Sequence, residues 1–310
     1  MISRMLMMAA AYAGGSPPVG SGQAIFGYGY TTSDVSITNL VNNTGVVSSD
    51  VSGVGTARAK LAAAGYGGDK AIFGYGIIYN SMNVSMTNLV SNTGVVSSDI
   101  SGIGTSRSQL AAAGYGGDKA IFGLGNNFYD YYYGITNLVS NTGVVASDVA
   151  PFYYARGFLA AASYGGDKAI FGYGETHPSY SENNYINLVS STGVMASTII
   201  GVGTARAKLA AAGYGGDKAI FGYGFAQNSY LSMTNLVSNT GVVSSDVSGV
   251  GSIRSNLAAA SYGGDKAIFG YGKLGSSNEN ITNIVNNTGV VSSDVSGVGT
   301  GRYGLSAAGF

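Results

Sequence analysis

The stretch Leu61-Ala-Ala-Ala-Gly65-Tyr-Gly-Gly-Asp-Lys70-Ala-Ile-Phe-Gly-Tyr75-Gly carries two short apolar runs on either side of Gly67-Gly68-Asp69. Adjacent glycines reach positive φ with no Cβ to clash, which suits a tight reversal between antiparallel strands. The reading is a hairpin of Leu61–Tyr66, a turn, and Lys70–Tyr75. The three alanines do not argue for helix, because they stand between turns and a helix needs a run of about ten residues with 3.6 periodicity. Further along, Met86-Thr-Asn-Leu-Val90 reads as a third strand and Asn92-Thr93-Gly94 as a second hairpin turn. Val95-Val-Ser-Ser-Asp-Ile100 alternates apolar and polar residues, as a fourth strand would. A glycine-rich connector, Ser101–Thr105, then leads to Arg107.

This unit recurs six times. Ala-Ile-Phe-Gly-Tyr-Gly begins at Ala24, Ala71, Ala169, Ala219 and Ala267, and reads Ala-Ile-Phe-Gly-Leu-Gly at Ala120. Arginine keeps step at Arg58, Arg107, Arg156, Arg206, Arg254 and Arg302. Four short strands in each repeat of roughly 48 residues are the pattern of a propeller blade. The expected fold is therefore all-β: a six-bladed β-propeller with four-stranded antiparallel blades. The chain ends Arg302-Tyr-Gly-Leu305-Ser-Ala-Ala-Gly-Phe310, an inner strand with no hairpin after it, while the first complete second strand is Gln23–Tyr28. The C-terminal strand is thus expected to close the ring and remove its free edges. Residues 4–14 also align with the inner strand, but an insertion holding Pro17 and Pro18 separates them from the hairpin. The division drawn is residues 1–22 as an N-terminal segment (anchor or degenerate inner strand) and 23–310 as the propeller. Arg4 followed by Met5–Ala11 also has the look of a short signal peptide.

Composition narrows the function. Glycine is frequent at 51 residues and proline scarce at 4, which fits tight β-turns and excludes a Pro-rich disordered chain. Charged residues make up 10% and the net charge is zero, so the clustered basic excess that phosphate recognition needs is absent. There is no cysteine, one histidine (His177), and no apolar stretch near the roughly 20 residues of a membrane-spanning helix. Neither a zinc ligand set nor a Gly-x-Ser-x-Gly elbow is present. Glu175 and Glu182, which flank His177, read as loop polarity rather than a glycosidase pair. The expectation is a non-enzymatic protein without cofactor or metal.

The unit resembles the kelch repeat in Arg58, in Gly67-Gly68-Asp69-Lys70, in Ile72-Phe73-Gly74-Tyr75-Gly76, and in the strand and polar turn Asn88–Gly94. It departs where the diglycine after the second strand is Gly-Tyr-Gly and where a valine near Val95 replaces tryptophan. The near-identical repeats also look like repeat proteins of environmental tailed bacteriophages. That likeness implies a virion surface or tail-associated structural protein, as in a tail fibre. Its N-terminal segment would hold other virion proteins and its loops a host glycan or protein. The alternative is a secreted, lectin-like or protein-binding kelch propeller of cellular origin.

The segments between second and third strands are unrelated to one another, and in a propeller they share one face. The third is richest in aromatics: Phe128, Tyr129, Tyr131, Tyr132 and Tyr133. Its repeat also carries Phe152, Tyr153 and Tyr154 where others have Ser-Gly-Val-Gly-Thr, and the two sets are expected to form one aromatic ligand-binding patch. The six arginines are read as structural. Asp50, Asp99, Asp148, Asp246 and Asp294 each stand eight residues before one, with Thr198 in the remaining place. Arg–Asp pairing between neighbouring blades is expected, leaving Arg206 without its local partner.

Overall fold

The computed structural model describes residues 22–79, 81–129, 131–149 and 154–310. The N-terminal segment expected as anchor, inner strand or signal peptide lies outside the described residues, apart from Gly22. Among the described residues the regular elements are all strands, arranged as small antiparallel sheets.

Each repeat builds one main sheet, and the second and fourth each add a small one of two-residue strands. In the second, Ala62–Tyr66 pairs with Lys70–Gly74, which pairs in turn with Thr87–Val90. The turn between the first two has Gly67 and Gly68 at φ 65° and 82°. Five repeats follow this order along the chain. In the remaining sheet the inner strand comes from the far end of the sequence: Ser306–Gly309 pairs with Ala24–Gly27, Ala308 opposite Ile25. Of the two candidate segments, the C-terminal one occupies this place.

Inner strands pack side by side. Ser306–Gly309 lies against both Ala62–Tyr66 and Ala258–Tyr262, and each of the others lies against the inner strands of its two neighbouring repeats. The residue before the inner-strand leucine links them at one end. Lys60 N–H donates to the Gly304 carbonyl, Gly304 to Asn256, Asn256 to Lys208, Lys208 to Phe158, Phe158 to Gln109 and Gln109 to Lys60, all at 2.6–2.9 Å. Six backbone hydrogen bonds thus return to their starting residue. At the other end of these strands a cavity of about 540 Å³ is lined by small residues from all six repeats, such as Ala64, Ala113, Ala162, Ala212, Ala260 and Ala308. Alanine and glycine suit strands brought this close.

The core is built between sheets. One cluster joins Ile25 and Tyr28 of the first repeat to Leu61, Ala63, Phe73 and Val90 of the second. The Phe73 ring meets Tyr28 edge-on at 5.1 Å, and Phe122–Tyr75, Phe221–Tyr173 and Phe26–Tyr271 repeat the geometry. Glycine at the end of the middle strand makes room for this ring, since a Cβ on Gly74 would sit 2.7 Å from Phe122 Cζ. The tyrosine that follows the middle strand takes φ 63°, as at Tyr28 and Tyr75. It adopts the left-handed conformation that glycine would supply, and its ring becomes part of the intersheet core.

Two expectations change. The fourth strand is not a continuous strand in five of the repeats. Val90–Val96 and Thr87–Ile100 meet only as isolated bridges. Between them the Ser97 hydroxyl accepts from the Leu89 N–H at 2.9 Å, and Asn88 Nδ2 donates to the Ser97 carbonyl at 3.0 Å. Side chains have taken part of the ladder, while the Ser97 N–H still donates to the Leu89 carbonyl at 2.8 Å. Only the fourth repeat has a short strand here, Ile199–Ile200. Conversely, two variable segments are ordered hairpin extensions: Lys218–Ala226 with Ser229–Val237, and Lys266–Leu274 with Ser277–Val285.

Gly74→Ala is expected to lower stability by about 1–3 kcal/mol, the usual cost of overpacking a filled core. Urea denaturation of the variant beside wild type measures it.

Candidate functional site

The six arginines are fully buried, each 0% exposed, so they do not offer a cationic ring to a ligand. Arg58 shows the common arrangement. Its Nε donates to the Tyr75 carbonyl at 2.8 Å, Nη2 to Asn88 Oδ1 at 2.7 Å, and Nη1 to the Thr56 carbonyl at 3.1 Å. Its guanidinium also lies 4.4 Å from the centre of the Tyr28 ring in the preceding sheet. Asn88 passes the contact on, with Nδ2 donating to Asp99 Oδ1 at 2.9 Å. Asp99 itself accepts from the Thr56 N–H and hydroxyl at 2.9 and 2.6 Å. Direct approach of Arg58 to Asp99 is only 3.9 Å. The expected Arg–Asp pairing is therefore corrected on two counts: asparagine mediates it, and the aspartate belongs to the sheet that the arginine introduces, not to the one before. Burial raises the Asp99 pKa, but hydrogen bonds from Thr56 and Asn88 outweigh it and hold the carboxyl below its usual range.

That geometry moves the exception from Arg206 to Arg156. Arg206 has its aspartate, Asp246, at 3.9 Å. Arg156 faces Thr198, whose hydroxyl is taken by Asn187 Nδ2 at 2.9 Å. Leu124 stands where other repeats offer a tyrosine ring. Arg156 Nε and Nη1 and Asn187 Oδ1 are buried with no hydrogen-bond partner, and Nη2 reaches only the Phe171 carbonyl at 3.4 Å. Burial accordingly lowers the Arg156 pKa to about 9.

The aromatic patch is only partly assembled. Phe128, Tyr129, Tyr131 and Tyr154 are exposed, Tyr129 at 86%. Phe128 meets Tyr129 and Tyr131 meets Tyr133, whereas Tyr154 packs on Tyr185. Phe152 and Tyr153 lie outside the described residues, and no described ring contact joins the two sets. Tyr132 is a correction. It is 5% exposed, its hydroxyl hydrogen-bonds Glu175 Oε1 at 3.0 Å, and its ring stacks on His177, so it ties two repeats together and is not a ligand contact.

A cavity of about 440 Å³ opens where the hydrogen-bonded circuit meets the variable segments. The circuit places Lys60, Phe158, Lys208 and Asn256 in its wall, and the variable segments add Tyr30, Tyr79, Phe225, Tyr230 and Lys273. Lys208 Nζ lies 4.9 Å from the Phe158 ring centre and 5.2 Å from that of Phe225, and Lys273 Nζ lies 4.6 Å from that of Tyr303. Asp34 is beside it, its carboxylate accepting from the Tyr79 N–H at 2.6 Å. Burial raises the Asp34 pKa against the opposing effects of that bond and of Lys60. The sequence reading missed this wall, although a signal was present. The residue before the inner-strand leucine is Lys60, Gln109, Phe158, Lys208, Asn256 or Gly304 inside an otherwise repeated frame.

No protein-family model matches the chain, and no curated protein matches its sequence.

Two substitutions separate the arginines. Arg107→Met leaves Asn137 and Asp148 without their cation and is expected to cost about 3–5 kcal/mol. Arg156→Met removes a buried charge that has lost its partners and is expected to be neutral or stabilising by about 1–2 kcal/mol. The folded pKa of Arg156, about 9, lies below its ordinary value because of burial, so above about pH 9 the unfolded chain still binds a proton that the folded chain has released. Stability of wild type relative to Arg156→Met should therefore rise as pH increases through about 9. Urea denaturation at pH 7 and pH 10 reads both effects.

Proposed function

We propose that the six main sheets form a six-bladed, kelch-like β-propeller closed by its C-terminal strand, and that this propeller is a non-enzymatic recognition scaffold. Support for the ring comes from the circuit of backbone bonds through Lys60, Gln109, Phe158, Lys208, Asn256 and Gly304. Arg302 adds to it, because Nε donates to the Tyr28 carbonyl and Nη2 to Asn39 Oδ1, both at 2.8 Å, across more than 260 residues of sequence.

The single observation that carries the functional reading is the split between frame and rim. The buried arginine, asparagine and tyrosine recur almost unchanged, while the residues around the 440 Å³ cavity differ from repeat to repeat. A rigid frame presenting divergent segments at one mouth is a common construction for binding surfaces. Tyrosine and phenylalanine there give contact area at low entropic cost.

The setting we propose is the virion surface or tail of a bacteriophage, where the segments meet a host glycan or protein. The likeness of the repeats to those of tailed-phage proteins supports that setting. Two variants test recognition against a panel of glycans and host surfaces: residues 225–230 replaced by Gly/Ser, and residues 126–133 replaced likewise. Wild type is expected to bind, and the 225–230 variant to lose at least about tenfold in affinity, which is 1.4 kcal/mol. No binding by wild type, or equal binding by all three proteins, would overturn the reading. Immunodetection on purified particles checks the setting, and absence from them would remove it.

A further inference from the structure

Building on that recognition reading, we infer that the mouth cavity is a site for a carboxylated sugar, a single hexuronic or nonulosonic acid unit. Its volume, about 440 Å³, falls within the range of small-ligand pockets. Its wall combines two chemistries. Phe158, Phe225, Tyr230 and Tyr303 offer aromatic surface to the C–H face of a sugar ring. Lys208 and Lys273 bring ammonium groups to the same cavity, and neither has a carboxylate within salt-bridge distance among the described residues.

The placement of the cations is informative. Lys60 Nζ lies 5.7 Å and Lys208 Nζ 4.9 Å from the centre of one ring, that of Phe158. Two like charges drawn to a single ring repel each other, and an anion in the cavity would relieve that repulsion. Asp34, whose carboxylate accepts from the Tyr79 N–H at 2.6 Å, feels the charge of Lys60, whereas Lys208 and Lys273 have no carboxylate within salt-bridge distance among the described residues. The wall is also held stiffly. Lys60, Phe158, Lys208 and Asn256 all have φ between 53° and 59°, a conformation that side-chain-bearing residues rarely adopt. The backbone circuit maintains it, so a ligand meets residues already in position.

Aromatic walls with lysine point charges suit a sugar acid better than a bare phosphate, which would use the cations and leave the rings without a partner. The experiment titrates the full-length protein by calorimetry with glucuronate, N-acetylneuraminate, glucose and inorganic phosphate, at low and high salt. At least one of the two acids is expected to saturate the protein. Glucose and phosphate should bind at least about tenfold more weakly, and high salt should weaken the acid. Lys208→Gln and Lys273→Gln should each lower acid affinity about five- to tenfold with unchanged thermal unfolding, and Phe225→Leu should lower it as well. Binding of neither acid, equal binding of glucose, preferential binding of phosphate, or lysine variants that bind like wild type would each overturn the inference. Host-surface binding that depends on residues 225–230 while neither acid binds would defeat this site alone. Acid binding without any host-surface binding would instead defeat the recognition reading.

Discussion

A buried guanidinium sets the terms for the rest of this structure. Removing an arginine from water costs several kcal/mol unless its donors and charge are met. Arg58 meets that cost with three hydrogen bonds within its own sheet and a tyrosine face from the sheet before. One side chain therefore joins the lead-in to the inner strand, the end of the middle strand and the outer strand. Other features follow from it. The tyrosine turn at φ 63° aims a carbonyl at Nε. The asparagine is buried because it joins the arginine to the aspartate. The aspartate is held ionised by the threonine two residues ahead of the arginine.

The third and fourth repeats show what happens when that set is relaxed. Leu124 and Thr198 together remove the aromatic face and the carboxylate from Arg156. Different contacts hold the two repeats together there: Tyr132 on Glu175 and His177, while within the fourth repeat Arg156–Gly157 pairs with Glu175–Thr176. Gly157 is itself crowded by the Tyr132 ring, which would stand 2.7 Å from a Cβ at that position. The aromatic segment that looked like a ligand patch has thus contributed its middle tyrosine to the joint between sheets.

How much of this was legible depends on the range of the interaction. The hairpin at Gly67-Gly68-Asp69 and the strands beside it were plain, because turn chemistry and short apolar runs are local. The arginine–aspartate relation was visible as a periodicity but assigned to the wrong partner. Spacing along the chain cannot tell the aspartate eight residues before an arginine from the one about forty residues after it. Only the folded sheet puts Asp99 beside Thr56. The fourth strand failed for a different reason: Ser97 and Asn88 replace some of the ladder bonds by side-chain bonds, and alternation of apolar residues is the same in both cases. The cavity was hidden because Lys60, Phe158 and Lys208 converge through a circuit that no single repeat contains.

The strand that pairs with Ala24–Gly27 has a further consequence. Ser306–Gly309 is joined to the sheet it completes only by way of the whole chain, and it is nearly a copy of five internal strands. A second molecule offers the same vacancy and the same strand. A strand tethered by its own fold faces its partner at a raised effective concentration, which favours pairing within one molecule over pairing with a free neighbour. The same bonds, made between molecules in a crowded preparation, would join them end to end as exchanged chains.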